Sequence, residues 1–75
     1  MSLKTLIAAG YAAQVMGSGD LQIAINTART QFGADPDLMA EAQAELARLD
    51  AIPNLEKRDF AQAKHRDFLR TVLTT

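Results

Sequence analysis

The chain has no cysteine and no tryptophan, one histidine, two prolines and four glycines in 75 residues. Each shortage closes a route. Without cysteine there is no disulfide to staple a small fold and no thiolate for catalysis or zinc binding, an absence that fits a reducing compartment. The lone imidazole, His65, cannot make a metal site by itself. No apolar run approaches the roughly 20 residues that a membrane-spanning helix needs. Lys4 followed by Leu6–Gly17 faintly resembles a signal peptide, but Gln14 and the alanines make the run only mildly apolar. No A-x-A cleavage pattern follows it either. The expected compartment is the cytoplasm. The net charge is −1, so no overall field draws the chain towards nucleic acid or anionic lipid. No stretch alternates β-branched or aromatic residues with polar ones, and no strand is expected.

What the chain does have is alanine. Hydrophobic residues make up 48% of it, and fourteen of them are alanines, which favour helix but bury little area. The core must rest on the leucines, isoleucines and three phenylalanines, in a single domain near the lower size limit for independent stability. Three punctuation points, Gly17-Ser18-Gly19-Asp20, Gly33-Ala34-Asp35-Pro36 and Ile52-Pro53-Asn54, divide the sequence into about four helices. Short connections make successive helices antiparallel, so the expected fold is an all-α compact bundle over residues 1–75.

The first helix is expected over Leu3–Met16 with Ser2 as its N-cap. Leu3, Leu6, Ile7, Tyr11 and Val15 gather on one side; Ala8, Ala9, Ala12, Ala13 and Met16 fill much of the other. The second is expected from Asp20 to a left-handed Gly33. It carries a buried stripe of Leu21, Ala24, Ile25, Ala28 and Phe32, with Ile23 pointing away from that stripe. The third starts from Asp35 as cap and Pro36 as first helical residue, with Asp37 at the positive helix end. Leu38, Met39, Ala42, Leu46 and Leu49 form its inner face. The fourth runs unbroken from after Asn54 to about Leu73 with Ala61, His65, Phe68, Leu69, Val72 and Leu73 inward, and Phe60 off the stripe between Lys57 and Lys64.

Gly19-Asp20 at an inter-helix turn, Ala24-Ile25 beyond it and Asp35-Pro36 closing the unit give residues 5–38 a spacing that resembles one tetratricopeptide-type repeat. That resemblance implies two antiparallel helices brought close by the small Ala24. Several family positions differ: Ala12 stands where the first-helix glycine belongs, Val15 where a tyrosine is usual, and Gln31 where a second alanine is usual. In the same register, Pro53-Asn54 marks the next equivalent turn, but Arg58 falls where Ala24 did and the likeness stops.

No motif carries chemistry. Gly17-Ser18-Gly19 lacks both the lysine and the preceding strand of a phosphate loop. Glu41 and Glu45, four residues apart, read as a solvated helix face. His65 lies within an apolar stripe with no partner identified. Acids concentrate over residues 35–50 (Asp35, Asp37, Glu41, Glu45, Asp50) and bases over 51–75 (Lys57, Arg58, Lys64, Arg66, Arg70). Two neighbouring helices of complementary charge explain that split.

The expected function is a small non-enzymatic protein-binding domain: an adaptor, an inhibitor or a structural accessory subunit. It needs no cofactor, metal or small-molecule substrate. The candidate partner-binding residues are Ala9 and Ala13, one turn apart on the small-residue side of the first helix, with the misplaced Ile23 and Phe60. The occupant would be another protein or a second copy. The alternative is a nucleic-acid-binding regulator using the basic residues of the C-terminal helix, although Asp59 and Asp67 interrupt any phosphate-tracking stripe there.

Overall fold

The computed structural model of the protein describes residues 2–74, Ser18 by its backbone alone. It is all-helical, with five helices: α1 (Leu3–Met16), α2 (Ser18–Ala34), α3 (Pro36–Asp50), α4 (Leu55–Arg58) and α5 (Phe60–Leu73). Among the described residues there is no strand.

Single residues make the first two breaks. Ser2 Oγ accepts from the Thr5 amide at 3.2 Å and starts α1. Gly17, at φ 147°, separates α1 from α2 in a conformation that a side chain would strain. Asp35, at φ −136° and ψ 96°, ends α2 and caps α3, accepting from Asp37 N at 3.1 Å and Leu38 N at 3.2 Å. A cap of this kind is worth about 1 kcal/mol. The second helix therefore begins two residues earlier than Asp20 and continues past Gly33. Pro36 forces its predecessor into the extended region, so Asp35 supplies the stop and Gly33 stays helical.

The expected single C-terminal helix is two. Asn54 adopts a left-handed conformation (φ 56°, ψ 38°), and one turn of helix follows it. At Asp59 the backbone turns extended, and its carboxylate accepts from Gln62 N at 3.2 Å and Gln62 Nε2 at 2.8 Å. Asp59-Phe60-Ala61-Gln62 is a variant of the capping box. That local exchange outweighs the continuity of the helical pattern.

α5 is the hub and packs against each of the other four helices. Ala63, Phe68, Leu69 and Val72 are fully or nearly fully buried, and every residue from Ala61 to Asp67 is at least half-buried. Leu6 and Ile7 of α1, Ile25, Ala28 and Phe32 of α2, Leu38, Ala42 and Leu49 of α3, and Leu55 of α4 close around it. The inner faces of α2 and α3 agree with the sequence pattern. That of α1 agrees only in part: Leu6 and Ile7 are buried and Leu3 packs against the core, as expected. Its buried side is Leu6, Ile7, Gly10 and Ala13, while Val15 is 62% exposed. Gly10 explains the rotation. A β-carbon there would stand 2.6 Å from Cγ, Cδ1 and Cδ2 of the buried Phe68 ring, so α1 lays its glycine against α5.

Candidate functional site

Ala9, Ala13, Ile23 and Phe60 do not form one surface. Ala13 is 6% exposed within its own chain, on the side of α1 that Gly10 turns inward, so it offers nothing to a partner. A Glu there would put a carboxylate into the core instead of into an interface. Ala9 is exposed, and it lines a groove with Thr5, Leu6, Asp20, Ile23, Ala24 and Thr27 of about 310 Å³. Ile23 is 64% exposed. The two helices thus bring Ala9 and Ile23 together from fourteen residues apart. Beside the groove, the outward face of α1 carries Lys4, Thr5, Ala8, Ala9, Ala12, Val15 and Met16, all exposed. Its polar groups are confined to the first turn and a half. Met16, at 78%, is among the most exposed apolar side chains.

Phe60 stands apart on the first turn of α5, 57% exposed, with Lys64 Nζ 5.2 Å from its ring centroid. Its displacement from the helical stripe is real, and Asp59 causes it by restarting the helix one residue before the ring.

A larger groove, about 450 Å³, lies between α1, α3 and α5 and is lined by Leu3, Lys4, Ile7, Ala8, Glu41, Glu45 and His65. Its chemistry is limited. His65 packs edge-on against Tyr11, with ring centroids 5.5 Å apart and planes at 83°. The Glu45 carboxylate is taken by Arg48, whose Nε and Nη2 donate at 2.7 and 2.9 Å. No hydrogen bond joins His65 to either glutamate among the described residues, and no serine, threonine or cysteine lines the groove. Among the described residues no group of histidine, aspartate and glutamate side chains is placed to hold a metal ion, and no helix is long and apolar enough to cross a membrane.

Two of the five basic residues of the C-terminal segment, Arg66 and Arg70, hold carboxylates. Arg66, with its side chain only 12% exposed, donates to Glu56 and, at 3.0 Å, to Asp67. Arg70 pairs with Asp50 at the end of α3. The expected attraction between acidic α3 and the basic C-terminal helix comes down to that one ion pair and an Arg48–Gln62 hydrogen bond of 3.2 Å. The other pairings lie within single segments.

These contacts set the response to acid. The hydrogen bond from Arg66 holds the Glu56 carboxyl below its ordinary range, the bonds from Gln62 do the same for Asp59, and Arg48 does so for Glu45. A carboxylate whose pKa is lower folded than unfolded stabilises the fold above its unfolded pKa, about 4. That contribution disappears as pH falls through the folded value. The melting temperature should therefore be level from about pH 7 to about pH 5 and then decline towards about pH 3. All three groups lie near the surface, so solvent screening keeps the decline gradual. Circular-dichroism melts across this range test it; a melting temperature as high at pH 3 as at pH 7 would show that these contacts contribute nothing.

No protein-family model matches the chain, and neither a curated protein nor a solved structure proves similar to it. The tetratricopeptide-type likeness of residues 5–38 thus remains the likeness of one helical hairpin. α1 and α2 do pack on each other, and a further close approach that the resemblance does not imply is made by Gly10 against α5.

Proposed function

We propose that this chain is a non-enzymatic protein-binding domain, serving in the cytoplasm as an adaptor, an inhibitor or a structural accessory subunit. The observation that carries the reading is the α1–α2 groove, apolar and bordered by the largely exposed Ile23. A partner's aliphatic or aromatic side chain entering it would cover Ala9 and Ile23 together. Burying an exposed isoleucine side chain contributes about 1.5–3 kcal/mol. The alanines along α1 let a second helix lie close, and Val15 and Met16 extend the apolar contact. A nucleic-acid regulator using the basic residues of the C-terminal helix is less favoured, because Arg66 and Arg70 hold carboxylates and Asp59 and Asp67 are interleaved with the cations.

Ile23→Glu is the direct test, because the position is exposed and the fold should survive. Proteins retained from the native host by the immobilised wild type should be lost, with affinity down about tenfold or more. If the occupant is a second copy, sedimentation should show a wild-type dimer that Ile23→Glu converts to monomer. Equal retention and equal sedimentation by both forms would remove the groove from the function.

A further inference from the structure

A second surface, separate from the groove, lies where α4 meets α5. Arg48, Arg66 and Arg70 each hold a carboxylate, but Lys57, Arg58 and Lys64 have none within ion-pair distance among the described residues. These three cations fall within eight residues, with exposed Phe60 among them and Lys64 over its ring. Of the acids in the same stretch, Glu56 is paired with Arg66, while Asp59 accepts from the neutral Gln62 amide and keeps its negative charge. A net charge of −1, less these three positive charges, leaves −4 for the rest of the chain. The positive excess is therefore local: across residues 56–64 the three cations outnumber Glu56 and Asp59 by one.

The geometry points to an acidic protein segment as the partner of this surface, one with carboxylates about a helical turn apart and an apolar side chain between them. Its carboxylates meet Lys57, Arg58 and Lys64, and its apolar group covers the open side of the Phe60 ring. This names a partner chemistry for a site outside the groove, and it shares with the proposed function only the premise that the chain binds protein. Single-stranded nucleic acid fits less well. The open side of Phe60 would take a base as readily as an apolar side chain, but a phosphate backbone crossing the patch meets the carboxylates Glu56 and Asp59 between the cations.

The test is a nitrogen–proton correlation NMR titration of the whole chain with three probes. They are an end-blocked octapeptide of glutamates with leucine at its third and sixth positions, the same peptide with glutamine for glutamate, and an octamer of deoxythymidine. Shifts from the acidic peptide should concentrate on residues 56–64, and the glutamine peptide should leave them still. Raising salt from about 0.05 M to about 1 M should weaken binding about tenfold, because Lys57 and Arg58 face solvent. Phe60→Ala should lower affinity about threefold through loss of the ring contact, and Lys64→Glu should lower it further, while Ile23→Glu should not change it. Absence of shifts in this segment, or tighter binding of the deoxythymidine octamer, would overturn the proposal. Shifts centred on Ile23 would overturn it too, while leaving the groove as a binding site.

Discussion

Gly10→Ala should destabilise the protein by about 2 kcal/mol, against the direction that helix propensity alone dictates. In an exposed helix interior, alanine is better than glycine by about 1 kcal/mol. Here the added methyl would stand 2.6 Å from three atoms of the Phe68 ring, roughly 1 Å inside ordinary contact distance. The atoms concerned include Cγ, near the root of the side chain, and the ring is 1% exposed. It cannot swing aside, so α1 must retreat from α5 and loosen the contacts of Leu6 and Ile7. Overpacking of a close-fitting core costs about 1–3 kcal/mol, and a rigid ring in a hub helix belongs at or above the upper end. Urea denaturation of the two forms gives the answer. A Gly10→Ala variant more stable than wild type would mean that the two helices are further apart than described. Phe68→Leu should relieve part of the loss in the double variant, with a coupling of about 0.5–3 kcal/mol.

Phe68→Ala should be more damaging still. Removing a buried phenylalanine costs about 3–5 kcal/mol, and at about 0.05–0.15 kcal/mol per residue a chain this short has about 4–11 kcal/mol in all. The core here leans on small residues: Ala28 and Ala42 are as buried as any leucine, and Ala63 is nearly so. Little neighbouring side-chain volume is free to collapse into the space left by the ring. The variant should be largely unfolded at 37 °C, losing most of its helical circular dichroism and binding a hydrophobic dye. A cooperative melt within a few degrees of wild type would show that the ring is dispensable.

The two positions also mark how far the sequence can be read. Helix ends written in capping chemistry were legible: Ser2 before α1 and Asp35-Pro36 before α3 stand where their side chains and fixed backbone angles require. So was Asp59, in principle, since Asp59 and Gln62 have capping-box spacing. The apolar pattern on either side simply speaks louder than one cap. The face of α1 was legible only in part: Leu6 and Ile7 mark it, but Gly10 does not, because glycine adds nothing to a hydrophobic pattern. Only knowing that Phe68 lies across from Gly10 reveals that the quiet position is the centre of the interface. Candidate partner residues divide in the same way. Ile23 and Phe60 could be found because each breaks its own helix's stripe, a local property. Ala13 was misplaced with the face of α1, and the groove joining Ala9 to Ile23 exists only once two helices are side by side. The pairing of Arg66 with Glu56 crosses the break at Asp59, and no helical spacing rule anticipates it.

The hub position of α5 has a consequence for the order in which the molecule can be made. Synthesis delivers α1, α2 and α3 first; α1 and α2 can pack on each other. Each of the three still has an inner face that α5 must close, and for α3 that helix is the main partner. Gly10 waits for a ring 58 residues downstream, a separation that slows closure in a chain otherwise rich in local helical contacts. Until residues 60–73 have left the ribosome, the nascent protein can form helices and the α1–α2 hairpin but has no completed core. Its apolar stripes remain open to whatever else is nearby. The last described helix thus acts as the keystone of assembly, and the interval before it arrives is when this chain is most open to aggregation or to capture by a chaperone.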